Sequence, residues 1–194
     1  MSKTMQPIIV RYSDLPDSES LRQSLDAIFF DASNTKSFAN DAVRNAFRMR
    51  WLGRYLIARP DLAHLLFVGD RMVPDALAGY VVGAHDDPAK TDRYEDVGYF
   101  HLLGDVTRYF PAHLHINLRQ DMRGKGLGSV LIEQFVSDVT TAGLPGVHIV
   151  TGARLRNVGF YQQNGFSFTH RFTWKDNELV LLGRKTSVSH LSGA

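Results

Sequence analysis

The chain has 194 residues, 22 Lys+Arg against 20 Asp+Glu for a net charge of +2, no cysteine, and 44% hydrophobic residues. About 150 residues per domain predicts one globular domain with a sizeable core, and the near-neutral charge offers no basic face for nucleic acid. The lack of cysteine excludes disulfides, thiolate nucleophiles, iron–sulfur clusters and zinc–thiolate sites, which leaves Ser, Thr, Lys, His, Tyr or a carboxylate for any covalent catalysis.

The first residues, up to Asp14, lack the apolar core of a signal peptide, and no later run approaches the ~18 apolar residues of a membrane span. The expectation is a soluble cytoplasmic protein with no membrane partner. Pro7 to Tyr12 (PIIVRY) reads as a first strand, with Ser13 or Asp14 capping a helix from Pro16 to Phe30. A second helix is predicted from Asn40 to Ala58, where Val43, Phe47, Trp51, Tyr55 and Leu56 follow a helical period and Pro60 stops extension. His64 to Val68 and Leu77 to Ala84 then read as an antiparallel hairpin around Gly69, Asp70 and Pro74. From Asp86 to Pro111 the chain is irregular, charged and aromatic, and reads either as a functional loop or lid or as a surface insertion with one short helix.

The second half alternates: strand His113 to Leu118, helix Gly126 to Thr141, strand Gly146 to Thr151, helix Leu155 to Asn164. That order predicts parallel pairing of the two strands. Phe166 to Trp174 and Leu179 to Gly183 close the fold as a hairpin through Lys175, Asp176 and Asn177, and residues 185–194 are expected to fray.

The strongest chemical signal is Arg123-Gly124-Lys125-Gly126-Leu127-Gly128-Ser129, set between the apolar strand HLHINL and an amphipathic helix burying Leu127, Leu131, Phe135 and Val139. A glycine turn entering a helix N-terminus exposes unpaired backbone N–H groups at the positive end of the helix dipole, which suits a phosphate. The register excludes a Rossmann G-x-G-x-x-G, because the required glycine falls on Ser129 or Leu131, and a Walker loop, because Lys125 is followed by Gly126. The remaining pattern, R-x-x-G-x-G at 123 to 128, resembles the pyrophosphate-binding motif of the GNAT N-acetyltransferase superfamily. Phe160-Tyr161-Gln162-Gln163-Asn164-Gly165-Phe166 resembles the F-Y-x-x-x-G-F of the same superfamily, in the same order after the next strand. The runs YFPAHLHINLRQDMRGKGLGSVLIEQF, GVHIVTG and ELVLLGR further resemble bacterial GNAT proteins related to the acetyltransferase-like C-terminal domain of O-GlcNAcase.

The resemblance implies an α/β (α+β) GNAT fold over residues 1–184: a central mixed sheet of six to seven strands, helices on both faces, and a splayed central strand pair. It implies acetyl-CoA as cosubstrate, no metal, and direct transfer to an unidentified amine of a small molecule or protein, with a homodimer as one arrangement among relatives. Ile116, Asn117 and Leu118 would bond the pantetheine arm, the Leu118 N–H would polarise the thioester carbonyl, and the amides from Arg123 to Ser129 would hold the pyrophosphate. Tyr161 matches the acid that protonates the departing thiolate; alternatively it only packs the last helix. The O-GlcNAcase-like relatives carry Asp where this chain has Asn117, which cannot act as a base. His113, His115 and Asn117 alternate on one strand face, so His115 is the preferred base, against a packed histidine; His101, Glu95 and Asp96 are weaker candidates. His113 and His115 lack a third ligand for a metal site. Relatives often carry Asn seven residues before the Tyr, where this chain has Arg154, while Asn157 lies four before it. Arg154 and Arg156 either reach a CoA phosphate or are solvated charges, and Arg119, Arg123 and Lys125 are further candidates around the phosphates. The alternative function is an acyl-CoA-binding module without catalysis.

Overall fold

The computed structural model describes residues 7–69 and 71–187. Its strands are β1 (Pro7–Arg11), β2 (His64–Val68), β3 (Leu77–Ala84), β4 (Ala112–Leu118), β5 (Gly146–Gly152), β6 (Phe168–Trp174) and β7 (Asn177–Lys185). They form one seven-stranded sheet in the order β1-β2-β3-β4-β5-β7-β6. The apolar run LAGYVVGA is β3, buried at every residue, as an uninterrupted apolar strand must be when both faces are covered. The predicted hairpin of β2 with β3 is antiparallel, with a register shift between Leu66 and Phe67. The predicted parallel pair is β4 with β5, registered at Ala112↔Val147 and His113↔His148.

The described residues fall into two compact units, one made of those up to Gly83 together with His115–Phe135, the other of Ala84–Leu114 together with those from Val136 onward. In the first unit, helix α1 (Glu19–Ala32) begins at the Ser18 cap, whose hydroxyl accepts from the Leu21 N–H at 3.2 Å. The expected start at Pro16 with a Ser13 or Asp14 cap is thereby corrected: Tyr12–Asp14 take a 3-10 turn, and Ser18 supplies the acceptor for the orphan first-turn amides. Helix α2 (Asp41–Arg48), capped by Asn40 Oδ1 on Val43 N–H at 3.0 Å, runs on into a π-helical turn (Met49–Gly53) and α3 (Arg54–Ala58). The single regular helix predicted there is interrupted. A Cβ on Gly53 would stand 2.9 Å from Met49 Sδ, so the Met49 side chain packs into the room that the glycine leaves. The extra residue of the wide turn rotates the buried stripe: α2 buries no residue, and Val43 is exposed, whereas Leu52, Tyr55 and Leu56 are buried.

In the second unit, the Asp86 to Pro111 segment folds as 3-10 turns at Pro88–Lys90, Asp92–Val97 and Phe100–Leu102 followed by α4 (Gly104–Thr107). Its apolar residues are anchors: Tyr94, Val97, Phe100, Leu103 and Phe110 are buried, whereas Tyr109 is exposed. Phe110 fills the room left by two glycines, since a Cβ on Gly146 or Gly183 would meet its ring at 2.7 or 2.9 Å. Helix α5 (Leu127–Thr141) begins one residue later than expected, and α6 (Asn157–Gln163) is shorter than the predicted Leu155 to Asn164. The β6–β7 hairpin turns on only Lys175 and Asp176, both at positive φ (46° and 62°), because Asn177 already pairs with Trp174. Two left-handed residues give the turn whose twist matches the strands. Strand β7 reaches Lys185, paired with Gly146, and the Thr186 N–H donates to Pro145 O at 3.1 Å. Fraying from 185 is thus corrected for those residues, and residues 188–194 lie outside the described ones.

His148 of β5 is fully buried, its Nδ1 2.5 Å from Phe110 O, and burial drives its pKa down from an ordinary 6.5 to about 4. The unfolded chain binds a proton there between those values and the folded chain does not. Stability should therefore fall as pH drops from 6.5 to 4, by up to about 1.4 kcal/mol per pH unit. Urea unfolding across that range should show a shallower slope for His148→Leu than for wild type; equal slopes would count against the assignment.

Candidate active site

The glycine loop owes its shape to two residues. Gly124 and Gly126 sit at φ +74° and +78°, and nothing lies within 4 Å of a Cβ added to either. Glycine is needed there for backbone conformation, not for room. Gly126 O accepts from the N–H groups of Ser129 and Val130 at 3.1 and 3.4 Å, which starts α5. The amides of Leu127 and Gly128, in the first turn, have no acceptor earlier in the helix. Gly124, Lys125 and Gly126 are exposed. An exposed loop leading into the positive end of a helix of 15 residues suits an anion.

The side chains around the loop are engaged unequally. Arg123 donates from Nε to Leu118 O at 3.1 Å and pairs through Nη2 with Asp31 Oδ2 of α1 at 3.2 Å. Lys125 Nζ lies 3.9 Å from Met122 Sδ, a weak acceptor. Arg119, expected among the phosphate cations, grips Asp121 with two bonds of 2.7 and 3.1 Å and also donates to the carbonyls of Asp75 and Leu77. Arg119 thereby fastens the end of β4, and its hydrogen bonding holds the Asp121 carboxyl below its usual range.

Strand β4 meets β3 closely where Gly79 leaves space: a Cβ there would stand 2.7 Å from Asn117 O and would run into Leu118 Cδ2. The polar side chains of β4 find separate partners. Asn117 Nδ2 donates to Tyr80 Oη at 2.8 Å. Tyr80 is fully buried, and desolvation pushes its phenol well above the ordinary value, with the Asn117 bond opposing. His115 Nε2 is 3.1 Å from Tyr55 Oη, and its ring is flanked by those of Trp51 and Tyr55 at 5.3 and 5.2 Å. Ile116 and Leu118 are half-buried. His113 is instead packed in the second unit among Tyr94, His148 and Phe100, at centroid distances of 4.8, 5.7 and 5.9 Å. Among the described residues no group of three His, Cys, Asp or Glu side chains is placed to hold a metal ion.

In the second unit, Tyr161 on α6 is buried between Phe160 and Phe166, with ring centroids 5.2 and 5.5 Å away. Burial pushes its phenol up, which keeps it protonated at neutral pH. Asn157 is tied to Thr151 Oγ1 at 3.0 Å. Arg154 pairs with Glu178 Oε2 at 2.9 Å, an exposed ion pair that competes with any phosphate for the guanidinium, and Arg156 is exposed. His101 lies edge-on to Trp174 at 5.7 Å, and Glu95 and Asp96 are exposed. The residues that sequence reasoning missed are Tyr55, Trp51, Tyr80 and Asp31. Tyr80 carried one signal, a phenol inside an otherwise apolar strand, because a buried hydroxyl needs a partner.

The chain matches the family model described as the acetyltransferase (GNAT) family over residues 19–166. Among solved structures, SsHAT superposes with a TM-score of 0.67 at 22% identity, over 93% of this chain and 98% of that one. The putative acetyltransferase yncA from Salmonella typhimurium, solved with its cofactor acetyl-CoA, gives 0.56 at 14% identity over 99% and 98%. The ribosomal-protein-S18-alanine N-acetyltransferase from Escherichia coli gives 0.55 at 12% identity over 97% and 99%. At these identities the likeness is one of fold.

Gly126→Ala places a side chain at φ +78° and should cost about 1–2 kcal/mol of stability. Gly159→Ala, in α6 with open space around it, should gain about 0.5–1 kcal/mol. Urea denaturation of the two variants separates conformational demand from crowding, and an unchanged midpoint for Gly126→Ala would remove the demand.

Proposed function

Because the chain belongs to the acetyltransferase (GNAT) family, we propose that it is an N-acetyltransferase that binds acetyl-CoA and passes the acetyl group directly to an amine of a small molecule or a protein. The observation that carries this reading is the loop from Arg123 to Ser129. Its positive-φ glycines open onto the amides of the first turn of α5, an arrangement suited to a diphosphate. Within the expected span from Arg123 to Ser129, the amides of Gly124 to Gly128 hold the pyrophosphate in the proposal, with Lys125 adding charge; those of Arg123 and Ser129 donate to Gln120 O and Gly126 O. The backbone of Ile116, Asn117 and Leu118 takes the pantetheine arm as a neighbouring strand would, and the Leu118 N–H polarises the thioester carbonyl. Arg123, bonded to Leu118 O, anchors the peptide that follows Leu118.

The nitrogen lone pair attacks the thioester carbon, and the C–S bond then breaks with its electron pair on sulfur. Tyr161 gives its proton to the sulfur. A phenol kept protonated by burial is in the form an acid requires, and the same desolvation penalises the thiolate it must protonate. His115, oriented by Tyr55, receives the proton lost by nitrogen. Arg154, Arg156 and Asn157 stand in this reading as further contacts for CoA.

A second reading, an acyl-CoA-binding module without catalysis, is favoured by Asn117 alone, an amide where O-GlcNAcase-like relatives carry Asp. That closer kinship itself rests on the runs from Tyr109 to Phe135, Gly146 to Gly152 and Glu178 to Arg184. Among the described residues no helix is long and apolar enough to cross a membrane.

Following CoA release over a panel of amines separates the two readings, since a binding module turns over none of them. With a competent amine, Tyr161→Phe should lower kcat by about a hundredfold or more and leave the KM for acetyl-CoA nearly unchanged. An unaltered kcat would remove Tyr161 as the acid.

A further inference from the structure

Asn117 Nδ2 donates to Tyr80 Oη at 2.8 Å, and Tyr80 is fully buried. This bond fixes the amide: its nitrogen end is engaged by Tyr80, and Oδ1 is the end presented as an acceptor. The charged groups that act on Tyr80 are Asp26 of α1 and Arg48 of α2, which offset each other in a 2.6 Å ion pair. On the same strand face as Asn117 lies His115, bonded to Tyr55 of α3. An amide oxygen accepts a hydrogen bond from a neutral amine, yet it neither attracts an ammonium ion as a carboxylate does nor takes a proton from one.

We propose that the Tyr80–Asn117 pair makes the site selective for amines with an appreciable neutral fraction near pH 7, such as the α-amino group of a peptide or amino-acid amide, over lysine-type alkylamines. The inference rests on the N-acetyltransferase reading above. The neutral nitrogen points one N–H at Asn117 Oδ1 while its lone pair forms the bond to the thioester carbon. The C–S bond breaks with its electrons on sulfur, which gains a proton from Tyr161. Nitrogen loses one proton through His115 to solvent, and solvent returns one to Tyr161, so that amine and acetyl-CoA become amide and CoA thiol. Tyr80 acts only through Asn117 and is a positioning residue.

The size of the preference follows from ionisation. With pKa about 7.8 for an α-amine and about 10.4 for lysine, the neutral fractions at pH 7 are about 14% and 0.04%. Their ratio, roughly 350 at pH 7, falls to roughly 25 at pH 9.

Alanyl-lysinamide carries both nitrogens in one molecule. Incubated with acetyl-CoA and the full chain, with the uncatalysed background subtracted, it should take acetyl on the α-nitrogen over the ε-nitrogen by about a hundredfold or more at pH 7, as read by fragmentation mass spectrometry. The ratio should narrow by about tenfold toward pH 9. Asn117→Asp should raise ε-acetylation relative to α-acetylation at pH 7. Tyr80→Phe should raise the KM for the dipeptide and leave that for acetyl-CoA unchanged; since it also removes a buried hydroxyl, Asn117→Asp tests the proposal independently of folding. Acetylation of the ε-nitrogen within tenfold of the α-nitrogen at pH 7 would overturn the inference and leave the N-acetyltransferase reading standing. No acetylation of either nitrogen by protein that acetylates another amine of the panel would overturn the inference alone, and no acetylation of any amine would overturn both.

Discussion

Backbone amides that a helix cannot satisfy for itself are the constraint on which the candidate site depends. Every α-helix begins with N–H groups that have no acceptor inside it, and burying one without a partner costs about 1–3 kcal/mol. Many helices close this deficit with a side-chain cap, as α1 does with Ser18 and α2 with Asn40. At the start of α5 the deficit is met differently. Two left-handed glycines bring the chain from the end of β4 into the helix, and Gly126 O takes the N–H groups of Ser129 and Val130. The loop residues Gly124, Lys125 and Gly126 stay exposed, so water or an anion can complete the bonding of the neighbouring amides. The anchoring around the loop serves the same end: Arg119 ties the strand end to Asp121 and to the Asp75 and Leu77 carbonyls, and Arg123 bridges Leu118 O and Asp31.

The second requirement is that polar side chains on β4 be satisfied without blocking their chemistry. Asn117 and His115 each pair with a tyrosine hydroxyl, from β3 and α3 respectively. A phenol suits this because its ring belongs to the core while its hydroxyl reaches a polar neighbour. The π-helical turn at Met49–Gly53 adds one residue ahead of Tyr55, and both Trp51 and Tyr55 reach the His115 ring. Wide turns of this kind are frequent at functional sites.

Much of the fold was legible because the apolar runs of β2, β3, β4 and β5 and the amphipathic face of α5 are local patterns. The glycine loop was legible for the same reason: its conformation is written in the spacing of Gly124 and Gly126. Where the reading departed from the structure, a nonlocal or subtle local effect decided. The cap at Ser18 displaced the helix start because two alternative acceptors, Ser13 and Asp14, lay nearby in sequence. The turn around Gly53 broke the predicted period because a single inserted residue leaves composition unchanged. The aromatic residues between Asp86 and Pro111 suggested a lid or a surface insertion, yet their partners, Gly146 and Gly183 against Phe110 and Phe172 against Tyr99, are far away in sequence. Tyr55 read only as part of a helical period and Tyr80 only as a phenol in an apolar strand, and nothing local marks that their hydroxyls will meet His115 and Asn117. The cations were the least legible of all, because whether an arginine is available depends on the carboxylate it meets: Arg119 meets Asp121 and Arg154 meets Glu178.

The central claim is that the amides of the glycine loop hold the diphosphate of acetyl-CoA, and thermal unfolding with two donors tests it most directly. A ligand bound only by the folded chain stabilises it, by about 2.7 kcal/mol at a concentration one hundred times its Kd. Acetyl-CoA at millimolar concentration should raise the midpoint by several degrees, whereas acetyl-pantetheine, which has the same thioester and arm but lacks the diphosphate, should raise it far less. An unchanged midpoint with acetyl-CoA, or equal shifts with both compounds, would contradict the account.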